Sequence, residues 1–280
     1  ITTTNAVPGI TVLMPNPDIR DPLNDEYLAF RMDYTPTVLA SAASTQVTGT
    51  NPHVGTAQLG EDPLPWLFEY PGILPTTSIL ESKAKGLGLV TATPEIDGVV
   101  RRVPLVVNVQ SKLYPSFALE LLRVAIGDPS YQIKTEEQGL AWVRVPSYPL
   151  MNTDSNGRIY LNWNTKFYKQ SGIEFINNPI DAPFIIVGTT AEGITNPVPT
   201  PAGAKYPHEI QANILHNLIT GSAPSTPTWA AFVEYTIALL ACIALAFASR
   251  NVWFSVPTLA LIVIGSSYGT WYAYKSSYLI

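Results

Sequence analysis

Two back-to-back apolar runs near the carboxyl end constrain this chain more than any other part of it. The first is Trp229–Ala248 (WAAFVEYTIALLACIALAFA) and the second is Val252–Tyr274 (VWFSVPTLALIVIGSSYGTWYAY); only Ser249-Arg250-Asn251 separates them. Each has about the twenty apolar residues that an α-helix needs to cross a ~30 Å hydrocarbon layer. A soluble helical hairpin has no use for two such runs almost free of charge. The pattern predicts an extramembrane domain over residues 1–228 and transmembrane helices over 229–248 and 252–274. The lipid bilayer is therefore the first expected partner.

Charge sets the expected orientation. Arg250 is the only ion in the tight loop, and short loops carrying Lys or Arg stay cytoplasmic. That runs the first span inward, the second outward, and leaves residues 1–228 periplasmic or extracellular. Trp229, Tyr235, Trp253, Trp271, Tyr272 and Tyr274 sit towards the span ends, as interfacial aromatic belts do. Glu234 lies one to two turns inside the first span, where an ion must snorkel to the headgroups or find a partner. Pro257 and the Gly265-Ser-Ser-Tyr-Gly269 stretch suit close helix packing.

Charged residues make up 13% of the 280, well below the usual ~25% of soluble domains. Setting aside Glu234, Arg250 and Lys275 leaves 14 basic and 20 acidic residues, a net charge of −6. Nucleic acid and anionic lipid surfaces both require basic patches, so neither is expected as the domain's main partner. The single cysteine, Cys242, falls inside the first span, so no disulfide holds the outer domain. An exported domain without disulfides fits a bacterial envelope, with the inner membrane as its location. The chain has no signal-like start at Ile1 and is expected to be part of a longer protein.

Along the domain, helices and strands alternate, which implies an α/β fold: a mixed sheet flanked by helices. Helices are expected from Asn24 to Asp33 (apolar side Tyr27, Leu28, Phe30–Met32), Thr77 to Lys85, Tyr114 to Ile126 and Glu209 to Ile219. Pro115 fits the first turn of the third, and Gly127 and Gly221 fit helix stops. Strands are expected at Ile10–Met14, Thr37–Ser41, Leu87–Thr93, Val99–Gln110, Arg144–Val145 and Arg158–Trp163. Pro183–Gly188 (PFIIVG) reads as a strand buried on both faces. Residues 48–75 are dense in proline and glycine and are expected to wrap the surface without regular elements. Asp97-Gly98 is a favoured turn pair.

Most candidate chemistry fails on inspection. Gly188-Thr-Thr-Ala-Glu-Gly193-Ile194-Thr195 has the glycine spacing of a phosphate loop, but Ile194 stands where the lysine is required. Asn152-Thr-Asp154-Ser-Asn156-Gly157 resembles half a calcium loop, but its twelfth position is Trp163; a turn into the Arg158 strand explains it better. Gly86-Leu-Gly88 lacks the third glycine of a dinucleotide fingerprint. His53, His208 and His216 are too scattered for zinc, and no nucleophile elbow is present. No metal, no cofactor and no catalysis are expected. One loop keeps interest. Residues Thr189–Tyr206 leave the carboxyl end of a strand, where open α/β sheets hold ligands. The candidate ligand residues are Thr189, Thr190, Glu192 and Asn196, with His208 and Glu209 at a helix start whose free N–H groups suit an anion. The alternative is an ordered loop that simply covers the sheet end.

Several segments, in order, resemble a known family. Gly86-Leu-Gly-Leu-Val-Thr-Ala-Thr-Pro-Glu-Ile-Asp97-Gly98-Val-Val-Arg101-Arg102-Val-Pro104-Leu105 looks like the signature of the second type of CHASE domain, an extracellular sensor module. The family's following helix motif corresponds to Pro115-Ser-Phe-Ala-Leu-Glu120, and its next strand to Gly157–Trp163. A strand and loop resemble Ile186-Val-Gly188-Thr-Thr-Ala-Glu-Gly193, followed by Thr200-Pro201 and the helix Glu209-Ile-Gln-Ala-Asn213-Ile-Leu215. The chain departs from the pattern at Asn196, His208 and Gln211, where the family has Asp, Gly and His.

The resemblance implies a sensory domain that biases a cytoplasmic cyclase, kinase or phosphodiesterase, in a receptor expected to be a homodimer. It also implies a third span and an output domain beyond Ile280. Its structural residues map onto Asp97, Gly98, Arg101, Arg102, Glu120 and Asn213. Arg101 and Arg102 are expected on opposite faces of a strand, one of them paired with an interior carboxylate, Glu120 or Glu209; ligand binding is the alternative use. A small molecule or an envelope protein is the expected ligand. The competing class is a membrane-anchored scaffold that senses nothing.

Overall fold

The computed structural model describes residues 6–18, 20–21, 23–46, 48, 52, 54–227, 229–249 and 251–275. His53 and Arg250, and with Arg250 the charge argument for orientation, lie outside the described residues. The chain divides into two compact units, residues 1–221 and 222–280.

The first unit runs β1 (Val7–Ile10), α1 (Leu23–Met32), β2 (Val38–Ser44), β3 (Gly55–Gly60), β4 (Glu69–Tyr70), β5 (Gly72–Leu74), α2 (Ser78–Glu81) and β6 (Gly86–Leu89). There follow β7 (Arg102–Pro104), β8 (Val106–Val109), β9 (Lys112–Pro115), α3 (Phe117–Ile126), β10 (Ser130–Glu136), β11 (Gly139–Arg144), β12 (Met151–Asn152) and β13 (Arg158–Tyr160). The unit ends with α4 (Gly172–Asn177), β14 (Phe184–Val187), β15 (Val198–Thr200), β16 (Gly203–Lys205) and α5 (Pro207–Thr220). This is the expected mixed α/β architecture.

The main sheet has the order β14-β1-β2-β5, with β6 also paired to β2. Pairing of β14, β1, β2 and β6 is parallel, and β5 joins the far end of β2 antiparallel. Helix α3 crosses this sheet. Its buried Phe117 and Leu121 meet Gly9 of β1, and Phe117 lies against Gly88 of β6. Two glycines let the helix come close: a Cβ on Gly88 would strike the Phe117 backbone, and one on Gly9 would meet the Phe117 ring at 2.5 Å. A second sheet, β12-β11-β10-β3, and three small ones complete the unit.

Several sequence expectations are corrected. Val99–Gln110 reads as one long strand but is two, in different sheets. Pro104 ends β7, and Leu105 turns its N–H to Gly157 (2.9 Å) while its carbonyl accepts from Ser116 (2.7 Å). Pro115 belongs to β9 and not to a first helical turn, because Ser116 is the cap of α3 and accepts from Leu119 N–H at 3.4 Å. Residues 48–75 do hold regular structure: β3 pairs in parallel with β10 along six residues. The apolar run 183–188 is an edge strand, half-buried to exposed. The expected strand Ile10–Met14 is instead β1, which starts three residues earlier, at Val7. On α1 the core takes Ala29 and Met32, while Tyr27 and Phe30 face outward.

The second unit contains α6 (Ala230–Ala248) and α7 (Val252–Lys275), which pack on each other. Among the described residues, α6 is the one helix long and apolar enough to cross a membrane, with a mean hydropathy of 2.1. By length and composition, only the first of the two expected spans qualifies. The second run does form a continuous 24-residue helix. Ser255, Pro257, Thr258 and the 265–269 stretch dilute its apolar character.

Candidate functional site

The expected ligand residues lie around the carboxyl end of β14 and the start of α5. Tyr206 precedes the helix in extended conformation and Pro207 takes its first position, where a missing N–H costs nothing. The Glu209 carboxylate reaches back to accept the Tyr206 N–H at 2.7 Å. It also pairs with the Lys169 ammonium. The chain's own carboxylate thus sits at the helix start expected to meet an external anion.

His208 stacks on Tyr206, with ring centroids 5.8 Å apart and planes 14° apart. Its imidazole lies over Gly188, where any Cβ would collide with it. Burial lowers the His208 pKa; the Lys169 charge acts in the same direction and the Glu209 charge opposes it. The ring is therefore neutral at pH 7. Burial pushes Glu209 up, but the bonds from Lys169 and Tyr206 and the charges of Lys169 and Lys205 outweigh it, so its pKa falls.

The other candidates do not converge on this cluster. The Thr189 hydroxyl accepts from Ala191 N–H at 3.2 Å, and Ala191 carbonyl accepts from Ile194 and Thr195, closing the loop on itself. Thr190, Glu192 and Asn196 are exposed. Among the described residues, no hydrogen bond joins them to His208 or Glu209. The structure assembles Gly188, His208, Glu209 and Lys169 and leaves the rest of the loop as a rim.

Below this cluster a polar ladder runs along α5. Asn213 Nδ2 donates to Glu209 carbonyl (2.9 Å) and Asn217 Nδ2 to Asn213 carbonyl (2.7 Å). Asn217 Oδ1 accepts from Asn162 N–H at 3.1 Å. The irregular segment 162–169 follows α5 in the opposite direction, from Asn162 beside Asn217, through Phe167 edge-on to His216, to Lys169 at Glu209. Among the described residues, Asn213 Oδ1 is buried without a partner. Gln211 holds α5 to α3 by accepting from Ala118 N–H at 3.1 Å.

The arginine pair is architectural, but not in the expected way. Arg101 chelates Asp97 at 2.7 and 3.0 Å across the turn, lowering Asp97 to a pKa of about 2. Gly98 has φ 78° there, as the turn requires. Arg102 binds Glu95 at 2.7 Å and Asp154 at 3.3 Å, and Asp154 in turn holds Arg158 at 2.7 Å. Both arginines are engaged elsewhere: Arg101 is held by Asp97, and β7, paired with β13, brings Arg102 to Glu95 and Asp154. The interior partner of Glu120 is Arg123, at 2.7 and 2.8 Å. Their spacing of three on one helix was the available signal. Lys169 gave no comparable signal, since 40 positions separate it from Glu209.

Among the described residues no cluster of three or more His, Cys, Asp or Glu is arranged to hold a metal ion. No curated protein and no solved structure matches the chain. The family model of the CHASE2 domain matches residues 4–248, from ahead of β1 to the end of α6. That match covers most of the chain, which therefore belongs to the CHASE2 family of sensory domains found in signalling receptors.

Proposed function

We propose that residues 1–228 act as the extracytoplasmic sensor of a bacterial transmembrane receptor that regulates a cyclase, kinase or phosphodiesterase output domain. The carrying observation is the family match, which runs without a break from the domain through α5 into α6. Supporting it, α5 carries His208 and Glu209, the latter held by Lys169, in its first turn and ends at Gly221 and the short stretch to Ala230. A small molecule that prefers one arrangement of this cluster shifts the population of two states of the domain. Glu209 and Lys169 supply the polar contacts, and the half-buried neutral His208 supplies an apolar face and a ring nitrogen. We read α6 as a span of the inner membrane, with residues 1–228 on the periplasmic side.

The test is a thermal-shift screen of the full chain in lipid nanodiscs against small metabolites of each charge class. A stabiliser whose effect is lost in Lys169→Met supports the sensor. A complete absence of stabilisers, together with a constant envelope-protein contact, supports a scaffold instead.

A further inference from the structure

Helix α1 carries apolar side chains on two opposite sides, and among the described residues only one of them packs into the domain. Ala29 and Met32 are 3% and 2% exposed in the core, packed with Leu80 and Leu87. On the other side Leu23, Tyr27, Phe30 and the following Tyr34 are 66, 61, 52 and 75% exposed. Their spacing of four, three and four is that of the inner seam of a two-stranded coiled coil. The rings are already ordered. Phe30 and Tyr34 meet edge-on at 5.2 Å, and Arg31 lies 5.2 Å over Tyr27 while donating to its hydroxyl at 2.8 Å.

We propose that this face pairs with the same face of a second copy of the chain, the two α1 helices lying parallel. Charge decides both occupant and direction. With Leu23 and Phe30 at d and Tyr27 at a, Glu26 takes the g position and Asn24 and Arg31 the e position, all within α1. In a parallel pair, g faces the e position five residues on in the other helix. Glu26 of each copy then meets Arg31 of the other, giving two cross-pairs from one symmetry axis. An antiparallel pair sets g against g and e against e, placing Glu26 opposite carboxylates and Arg31 opposite Arg31 or Asn24. Asp33 is already held by Lys83 at 2.8 Å.

The face is small. Three half-exposed aromatics and a leucine bury roughly 400 Å² per copy, about half of the ~800 Å² per partner of a standard interface. Pairing is therefore weak between free domains and becomes effective when two chains share a membrane, which raises their local concentration. The inference goes beyond the sensory reading, because the seam pairs whether or not the domain senses a ligand.

The experiment is disulfide cross-linking of the full chain in lipid vesicles, in a Cys242→Ala background. Tyr27→Cys and Phe30→Cys are each expected to form covalent dimers on mild oxidation, and Asp25→Cys, on the flank, is not. Glu26→Arg or Arg31→Glu should reduce Tyr27→Cys dimer several-fold, and the two reversals together should restore it. All substituted positions except Asp25 are exposed, so these variants fold. Three outcomes overturn the proposal: no Tyr27→Cys dimer, dimer only when Tyr27→Cys and Phe30→Cys chains are mixed, or a double reversal as poor as the single ones. The readout does not depend on signalling, so failure of the sensor reading and failure of the seam are separate results.

Discussion

The Arg123 guanidinium grips both carboxylate oxygens of Glu120 from one helical turn away, at 2.7 and 2.8 Å, with Glu120 fully buried. Arg123 also donates to Asp128 carbonyl at 2.5 Å and Lys85 carbonyl at 3.3 Å, tying α3 to the loop before β6. Removing one member of a buried pair typically costs about 3–5 kcal/mol, because the other is left uncompensated. Glu120→Leu should therefore destabilise the domain by that order in urea unfolding. Adding Arg123→Met should recover part of the loss; if the double variant is the sum of the singles, the pair is not coupled.

Gly86 makes room for that carboxylate, since a Cβ there would run into Glu120. Gly86→Ala is expected to cost about 1–3 kcal/mol by overpacking. Gly172→Ala, where a Cβ meets open space, should leave the unfolding midpoint nearly unchanged.

The turn between β8 and β9 offers the opposite case. Gln110 and Ser111 both take positive φ, 51° and 62°, as a two-residue hairpin turn of the primed kind requires. A side chain in this region costs about 1–2 kcal/mol. Ser111→Gly is expected to raise stability by about 1 kcal/mol, seen as a higher melting temperature.

His208 predicts a pH effect. Its pKa is depressed by burial below the ordinary 6.5, so between the folded value and 6.5 the unfolded chain binds the extra proton. Stability then falls as pH drops through about 6.5 and levels off below the folded value. His208→Asn should flatten the melting temperature across that window. Glu95, Asp97 and Glu209 have lowered pKa values. Their contribution is present above the ordinary carboxylate range and is lost only at more acidic pH, so the two effects separate.

Cys242 tests the first span. It lies within α6, six residues from the helix end and thus about 9 Å along its axis. A charged maleimide should fail to label it in vesicles and label it fully in denaturing detergent. Rapid labelling in vesicles would place this residue in water.

The helix ends were legible because capping is local chemistry: Gly127 and Gly221 stop α3 and α5 with φ 75° and 67°, as their positions in the sequence imply. The turn at Asp97-Gly98 was legible for the same reason. The long strand 99–110 was not, since the break at Leu105 depends on hydrogen bonds to Gly157 and Ser116, which no local pattern reveals. Burial of β14 was misjudged because an apolar run does not say whether its strand lies at the centre or the edge of a sheet. Around α5, His208 and Glu209 were found from position alone, but their roles were set by Lys169 and Gly188, which the fold delivers from distant segments.

The placement of β14 bears on how this domain is made. Strand β1 sits inside the main sheet between β2 and β14, and Thr11 bonds through its hydroxyl to Val187, 176 positions later, at 2.9 Å. A chain emerging amino end first must therefore carry one open edge of β1 until β14 has followed. Closing so long a loop is slow, and an open strand edge invites wrong pairing meanwhile. The β14 side of β1 thus stays unpaired until that later segment arrives.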